Sequence, residues 1–347
     1  MICGMLTPTP LMNLVTGFWS FKTFAVAVEL DLFTRLAGGR TLTVAEAERE
    51  LQLPERPADL LLTACASLGL LERSGAGYRN SPLAEEFLVS GKPYYFGGQV
   101  RYCDRRTYLA WHRIEEALRT DRPLTWDPDT QESMFTTADP QLLATFWEAM
   151  YSTSIFTARV LGGAVDLSGH RRLLDVGGGS GAYAIELCRL HPGLSATVLD
   201  LPHVCEIAAG KVDLAGLSDR IDTAAGDFLA DPALPGGHDV LLFSMILHDW
   251  DEPTNRELLA KAYAALPAGG LVIVSELLLN ADRTGPAPAA LMGMNMLVET
   301  VGGRNYSDAE YAGWLAGAGF TQIRTVRFDA PGANGAVLGV KSGITRK

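Results

Sequence analysis

Arg172-Leu173-Leu174-Asp175-Val176 is an apolar run broken by one acid, and it halts at Gly177-Gly178-Gly179-Ser180-Gly181. A helical pattern resumes from Tyr183 to His191. Strand, glycine turn and helix in that order open a βαβ unit. Glycine at such a turn permits positive φ and lets the backbone approach a ligand closely. Further strand-like runs follow at Ala196–Leu199, Val240–Phe243 and Leu271–Ser275, each paired with a helical stretch. The alternation predicts an α/β domain with a mainly parallel sheet, whose ligands bind beyond the carboxyl ends of the strands.

The rhythm before about Met150 is different, and reads almost wholly helical from Leu11 onward. Phe18, Phe21, Phe24, Ala25 and Val28 recur at three- and four-residue spacings, the apolar stripe of a packed helix. Thr43, three residues before Glu46, is placed to cap another helix. Pro54 and Pro57 punctuate ahead of an apolar helix from Leu60 to Leu71, and Gly75 and Gly77 before Tyr78 and Asn80 mark a small hairpin. Helix, turn, helix, hairpin is a winged-helix layout. It divides the chain into a mainly helical domain over 1–150 and an α/β domain over 151–347.

Such a layout raises the question of DNA. The helix from Leu60 to Leu71 offers no Arg, Lys, Asn or Gln to base edges. The chain holds 40 acidic against 29 basic residues, a net charge of -11, where a nucleic-acid binder presents a basic face. A dimerisation or lid role fits better, with a winged-helix regulator sensing a nucleoside as the alternative. No apolar run reaches the roughly 18 residues that span a bilayer, and Cys3, Cys65, Cys103, Cys188 and Cys205 form no C-x-x-C pair. A cytoplasmic protein with neither nucleic acid nor membrane as partner is expected.

Gly177-x-Gly179-x-x-Ala182 also satisfies a relaxed dinucleotide fingerprint, so the turn alone leaves a nicotinamide cofactor open. Three acids narrow the choice. Asp175 precedes the turn, where a carboxylate can meet a cationic or amino-bearing ligand. Asp200 closes the second strand, where an acid takes ribose hydroxyls. Gly226-Asp227-Phe228 follows an expected third strand, with an acid for an adenine amino group and an aromatic face for its ring. An adenosine without pyrophosphate, flanked by carboxylates, suits S-adenosylmethionine (SAM) better than NAD. Singly, the acids have plainer readings: Asp200 before Leu201-Pro202 as a turn residue, Asp227 as a helix cap. Their order and spacing carry the inference.

The fourth strand runs into Ser244-Met245-Ile246-Leu247-His248-Asp249-Trp250. A histidine at a strand's carboxyl end lies where ligands bind and titrates near neutrality, which makes His248 a candidate general base. A lone histidine is more often structural; its place after the cofactor elements favours chemistry.

Leu174–Gly181, Asp200-Leu201-Pro202, Gly226-Asp227-Phe228, Leu247-His248-Asp249-Trp250 and Gly302-Gly303-Arg304, in this order, resemble the small-molecule O-methyltransferases. These are class I SAM enzymes of plant phenolic and bacterial antibiotic pathways. The resemblance covers nearly the whole chain. It implies a Rossmann-like C-terminal SAM-binding domain, a winged-helix-like N-terminal dimerisation domain and a homodimer. By matching position it implies that Gly177, Gly179, Asp200, Leu201, Asp227, Phe228 and Ser244 line the SAM site. It further implies His248 as the base, with Asp249 beside it and Glu276 supporting it, and S-adenosylhomocysteine as the product.

The chain departs from the pattern at Asn305-Tyr306, where relatives often carry Glu-Arg, and this withdraws one acidic partner from the histidine. Removing a phenolic proton enriches both the oxygen and the ring carbons ortho and para to it. The nucleophile held about 3 Å from the sulfonium methyl reacts, so pose selects oxygen or carbon. Thr7-Pro8-Thr9-Pro10-Leu11 and Pro93-Tyr94-Tyr95-Phe96-Gly97-Gly98 are similar to bacterial C-methyltransferases of phenolic amino acids. The expectation is therefore methyl transfer to the ortho carbon of tyrosine or 3-hydroxykynurenine in antibiotic-type metabolism. Phenol O-methylation is the alternative.

A metal-assisted transfer to an α-keto acid at His248 and Asp249 is a further one, without a clear third ligand. Arg101, Arg105, Arg106 and Arg113 offer guanidinium groups to a substrate carboxylate, or form a solvated face paired with Asp104 and Glu116. Trp147, Met150, Met245 and Met296 supply an apolar slot for a small aromatic substrate, or belong to the core.

Overall fold

The computed structural model describes residues 6–131 and 140–343, so Cys3 lies outside the described residues. The chain divides into two compact units, one ending at Arg105 and the other beginning at Arg106.

In the first unit, the helix Gly17–Glu29 turns Ala25, Ala27 and Val28 into a core shared with Leu32, Phe33, Leu42 and Leu62. The helix Val44–Leu51 begins at a capping box: the Thr43 hydroxyl accepts from Glu46 N at 3.3 Å, and Thr43 N donates to the Glu46 carboxylate at 2.8 Å. The next helix runs Glu55–Ser67, starting before Leu60. Pro57 stands in its first turn, where a missing N–H breaks no intrahelical bond. Gly69, at φ +74°, ends the helical stretch before Leu71. Strands β1 (Leu71–Ser74) and β2 (Gly77–Asn80) then pair antiparallel as the wing. Leu11, Met12, Leu14, Val15, Phe18 and Trp19, on the two leading helices, are all at least half exposed. Among the described residues no single helix is long and apolar enough to cross a membrane.

The second unit is a three-layer α/β structure. Strands β3 (Arg172–Val176), β4 (Ser195–Asp200), β5 (Ile221–Ala225), β6 (Val240–Ser244) and β7 (Leu271–Glu276) are parallel. Strands β8 (Phe320–Arg327) and β9 (Gly335–Lys341) close one edge antiparallel, giving the order β5-β4-β3-β6-β7-β9-β8. β6 and β7 are buried along their whole length and almost continuously apolar, as strands covered on both faces must be. From β3 the chain passes to β4 on one side and later to β6 on the other. That reversal opens a crevice beyond the carboxyl ends of β3 and β6. This is the Rossmann-like domain with a mainly parallel sheet.

The helix Pro140–Ala164 runs through residue 150, the bound expected between the two domains. It packs on the helix Ala182–Leu190, with buried Glu186 set 3.2 Å from Arg159 and 3.6 Å from Arg189. Periodicity marks where strands begin; the helices from Arg106 onward belong to the same compact unit as the sheet that follows them.

Candidate active site

β3 ends at Val176, and the chain turns through Gly177, Gly179 and Gly181 at φ of +65°, +57° and +77°. Space as well as φ demands glycine here. A Cβ on Gly177 would stand 2.6 Å from Ile246 Cδ1, and one on Gly179 2.5 Å from the Trp147 ring. The Asp200 carboxylate ties this turn to the end of β4, accepting from Gly179 N and from Leu201 N, each at 2.8 Å. Both oxygens keep lone pairs for a ligand hydroxyl.

Asp227 Oδ1 accepts from Leu229 N at 2.9 Å and Ala230 N at 3.1 Å, shaping the loop that carries Phe228. No motif pointed to the residue that fastens this loop. Lys261, with a side chain only 10% exposed, donates to the carbonyls of Phe228, Leu229 and Asp231 at 3.2, 2.8 and 2.8 Å.

Two buried polar atoms around this corner, Asp175 Oδ2 and Trp147 Nε1, have no hydrogen-bond partner. Buried polar groups are normally paired, so these two atoms have bonding capacity that a ligand could take up. Burial pushes the Asp175 carboxyl up to about 7; an Ala184 N–H opposes this and the charge of Asp200 adds to it. A glycine cradle edged by carboxyls suits a ligand with hydroxyls, an amino group and a positive charge. A pyrophosphate would meet like charge.

At the end of β6 the backbone reverses through Met245, whose φ of +56° is the left-handed region and costs on the order of 1 kcal/mol outside glycine. The reversal leads into the 3₁₀ turn Leu247–Asp249, which buries His248. Nδ1 of His248 lies 2.5 Å from Oε2 of Glu276, the last residue of β7. A carboxylate can only accept, so Nδ1 carries the hydrogen and Nε2 is left as the proton acceptor. Oε1 of Glu276 is held in turn by Ile246 N at 3.1 Å and Leu247 N at 3.0 Å. Asp249 Oδ1 stands 3.6 Å from Nε2, too far for a hydrogen bond.

Burial alone would lower the proton affinity of His248. The charges of Glu276 and Asp249, with the Glu276 hydrogen bond, outweigh it and carry the imidazole up to about 9. Burial pushes Asp249 up to about 7, against His248 and with Glu276 and Glu299 adding. This corner therefore holds protons tightly.

The turn is fastened from several sides. Nδ2 of fully buried Asn255 donates to Leu247 O at 2.7 Å and Trp250 O at 3.2 Å. Arg304 N donates to His248 O at 2.8 Å. A Cβ on Gly303 would come within 2.7 Å of His248 O and 2.9 Å of Asp249 O, so only glycine lets this strap lie so close. Asn305 Nδ2 donates to Leu277 O at 2.7 Å, and the Tyr306 hydroxyl donates to Trp250 O at 2.8 Å. Asn305-Tyr306 thus anchors the strap, and Glu276 supplies the imidazole's carboxylate.

The aromatic-slot residues are spread differently from one another. Trp147 lies against Gly179 of the cofactor turn. Met150 is half-buried on the same helix. Met245 faces Gly332, where a Cβ would be 2.5 Å from its sulfur. Met296 is buried, with its carbonyl bonded to Thr300. Arg101 belongs to the first unit and is engaged by Asp31 at 3.5 Å, Glu29 at 3.6 Å and the Tyr95 hydroxyl at 2.9 Å. Among the described residues no group of three or more His, Cys, Asp or Glu side chains is arranged to hold a metal ion.

Residues 111–321 match the family model of the O-methyltransferase domain, and residues 12–90 match that of the O-methyltransferase dimerisation domain. The chain belongs to the O-methyltransferase family. It is 53% identical over 336 residues, 96% of either chain, to a 3-hydroxy-5-methyl-1-naphthoate 3-O-methyltransferase of Streptomyces sahachiroi. It is 36% identical to the tetracenomycin polyketide synthesis 8-O-methyl transferase of Streptomyces glaucescens, over 93% of this chain and 94% of the other. Human N-acetylserotonin methyltransferase, solved in complex with SAM, matches with a TM-score of 0.85 and 30% identity over 99% of this chain and 100% of that one. This methyltransferase uses SAM and releases S-adenosylhomocysteine.

Proposed function

We propose that this methyltransferase methylates a phenolic oxygen of a small fused-ring aromatic in bacterial antibiotic-type metabolism, with His248 as the base. The observation that carries the reading is the 2.5 Å contact of Nδ1 with Glu276, which leaves Nε2 as acceptor at the mouth of the crevice. SAM, when bound, supplies a methyl group made electrophilic by its sulfonium. Asp175, Gly177, Gly179, Asp200, Leu201, Asp227, Phe228 and Ser244 hold it. His248 takes the phenolic proton as the oxygen becomes nucleophilic, and Glu276 and Asp249 stabilise the imidazolium that results. The positive charge of bound SAM would oppose the pull of Glu276 and Asp249 on the imidazole, which would leave His248 a competent base in the loaded site.

The preference for carbon rested on Asn305-Tyr306 depriving the histidine of an acid, and on the likeness of Thr7-Pro8-Thr9-Pro10-Leu11 and Pro93-Tyr94-Tyr95-Phe96-Gly97-Gly98 to C-methyltransferases. Asn305 and Tyr306 fasten the strap instead, and Glu276 and Asp249 flank the imidazole. The two Streptomyces relatives are named for transfer to oxygen. Incubating enzyme and SAM with hydroxynaphthoic acids, phenolic polyketides, tyrosine and 3-hydroxykynurenine tests the reading. An O–CH₃ resonance in a fused-ring product is expected. A C–CH₃ product, or turnover of the amino acids alone, would overturn it.

The exposed apolar row Leu11, Leu14, Phe18 and Trp19 falls largely within the dimerisation match and supports a homodimer formed through this face. Sedimentation of Trp19→Glu should show monomer where the parent is dimeric; an unchanged dimer places the interface elsewhere.

A further inference from the structure

We propose that Arg106 binds a carboxylate on the acceptor, so that the enzyme selects hydroxylated aromatic acids over their neutral counterparts; this rests on the site being that of a phenol O-methyltransferase. Four arginines stand close together in the sequence, and three are committed to acids. Arg101 meets Glu29 and Asp31, Arg105 meets Glu29 at 2.7 Å, and Arg113 grips Glu116 at 2.7 Å. Arg106 forms no ion pair among the described residues. It is half-buried, and its Nη2 donates to Thr125 O at 2.9 Å. Its Nε is buried and has no partner. A guanidinium with five donors, held partly out of water and given one carbonyl, is incomplete until an anion meets it.

Its neighbours put it on the His248 side of the second unit. The Thr125 hydroxyl donates to Glu299 Oε2 at 3.0 Å, and the hydroxyl of Thr107, next in the chain, reaches Glu299 Oε1 at 3.4 Å. Glu299 ends the helix Ala287–Glu299 and acts electrostatically on Asp249, which stands beside His248. Trp111 Nε1 donates to Asn295 Oδ1 at 2.9 Å, and Trp126 Nε1 to Glu299 O at 2.7 Å, so the chain on both sides of Arg106 is pinned to that helix. Arg106 lies in a π-helical turn, Cys103–Thr107, a form concentrated at functional sites.

Charge completes the case. Glu276, Asp249 and Glu299 make the His248 corner anionic, and an acidic acceptor entering it is repelled unless a cation receives the acid group. A planar guanidinium receives a carboxylate through two parallel N–H donors, fixing orientation as well as charge. With the carboxylate at Arg106 and a hydroxyl at His248, a rigid ring system has both ends located, and the enzyme thereby chooses which hydroxyl reacts.

The test compares a hydroxynaphthoic acid, its methyl ester and the parent naphthol, with SAM and the full-length enzyme, in the parent, Arg106→Gln and Arg106→Lys. The parent should prefer the acid to the ester in kcat/KM. Arg106→Gln should cut that acid-to-ester ratio about 10–100-fold, mainly through KM, as expected for a hydrogen bond to a charged group. Arg106→Lys should recover part of it. A parent ratio near one, a ratio that Arg106→Gln leaves where it was, or methylation of the carboxylate itself would overturn the proposal. Should Arg106→Gln not fold, the parent ratio and Arg106→Lys decide alone. Failure to methylate any hydroxyl while SAM binds would instead defeat the O-methyltransferase reading, and this inference with it.

Discussion

The two corners of the crevice are built by opposite means. Beyond β3 and β4 the chain withdraws its side chains, leaving glycines at positive φ beside the partnerless Asp175 Oδ2 and Trp147 Nε1. Beyond β6 and β7 side chains take over the work: Glu276 receives two backbone N–H groups and the imidazole, and Asn255 and Arg304 hold the turn beneath it, though Asn255 Oδ1, Trp250 Nε1 and Asn305 Oδ1 stay without partners. One corner is shaped mainly by backbone without side chains; the other is shaped by side chains held on one another. The difference matches the tasks proposed for them. Holding a large ligand needs room and shape, which backbone without Cβ supplies. Moving a proton needs charges already in place, because reorganising them during the reaction adds to the barrier.

Replacing His248 with Ala tests the contrast most severely. Turnover should fall about 10²–10⁴-fold while calorimetry finds SAM binding retained; a matching loss of SAM affinity would show that the corners are not separate. Gly179→Ala should do the reverse, weakening SAM binding about 10–100-fold because a Cβ must occupy a left-handed conformation against the Trp147 ring. Normal affinity in that variant would mean the turn yields. Lys261→Met should weaken SAM binding about tenfold by freeing the loop of Asp227 and Phe228, and Lys261→Arg should restore most of it. Equal losses in both variants would point to packing instead.

The smallest effect is on stability against pH. Asp175 and Asp249 are raised from 3.8 to about 7, and His248 from 6.5 to about 9, so each binds its proton more tightly in the folded chain. Their contribution is complete below the unfolded values and is lost as pH rises through about 7 for the acids and about 9 for the imidazole. The Tm of the unliganded enzyme should therefore decline from about pH 5 to about pH 9, and Asp175→Asn should flatten the part near 7. A Tm that climbs through this window would contradict the assignment.

Much of the sheet was legible because strands and caps are local. β3 has the bounds its apolar run marks, β4 closes at Asp200, and Thr43 caps its helix with Glu46. β8 and β9 were missed: β8 exposes Thr321, Gln322, Thr325 and Arg327 along the sheet edge and has no apolar run to betray it. Lys261 and Asn255 carry no signal of their roles in the sequence, since a carbonyl 33 positions away leaves no trace in local spacing. Asn305-Tyr306 was read as a loss to the histidine because motif comparison aligns residues without showing what they touch.

The sequence by itself determined that a βαβ chain would turn through glycine between Asp175 and Asp200, and that His248 would follow the strand beyond it. Those are statements about neighbours along the chain, where φ, spacing and apolar runs are decisive. Only the tertiary structure decided how that histidine is poised, with Nδ1 on Glu276 and Nε2 left open, and which of four similar arginines lacks an acid. Such questions turn on a partner tens of residues away, and a partner becomes a neighbour only when the chain is folded.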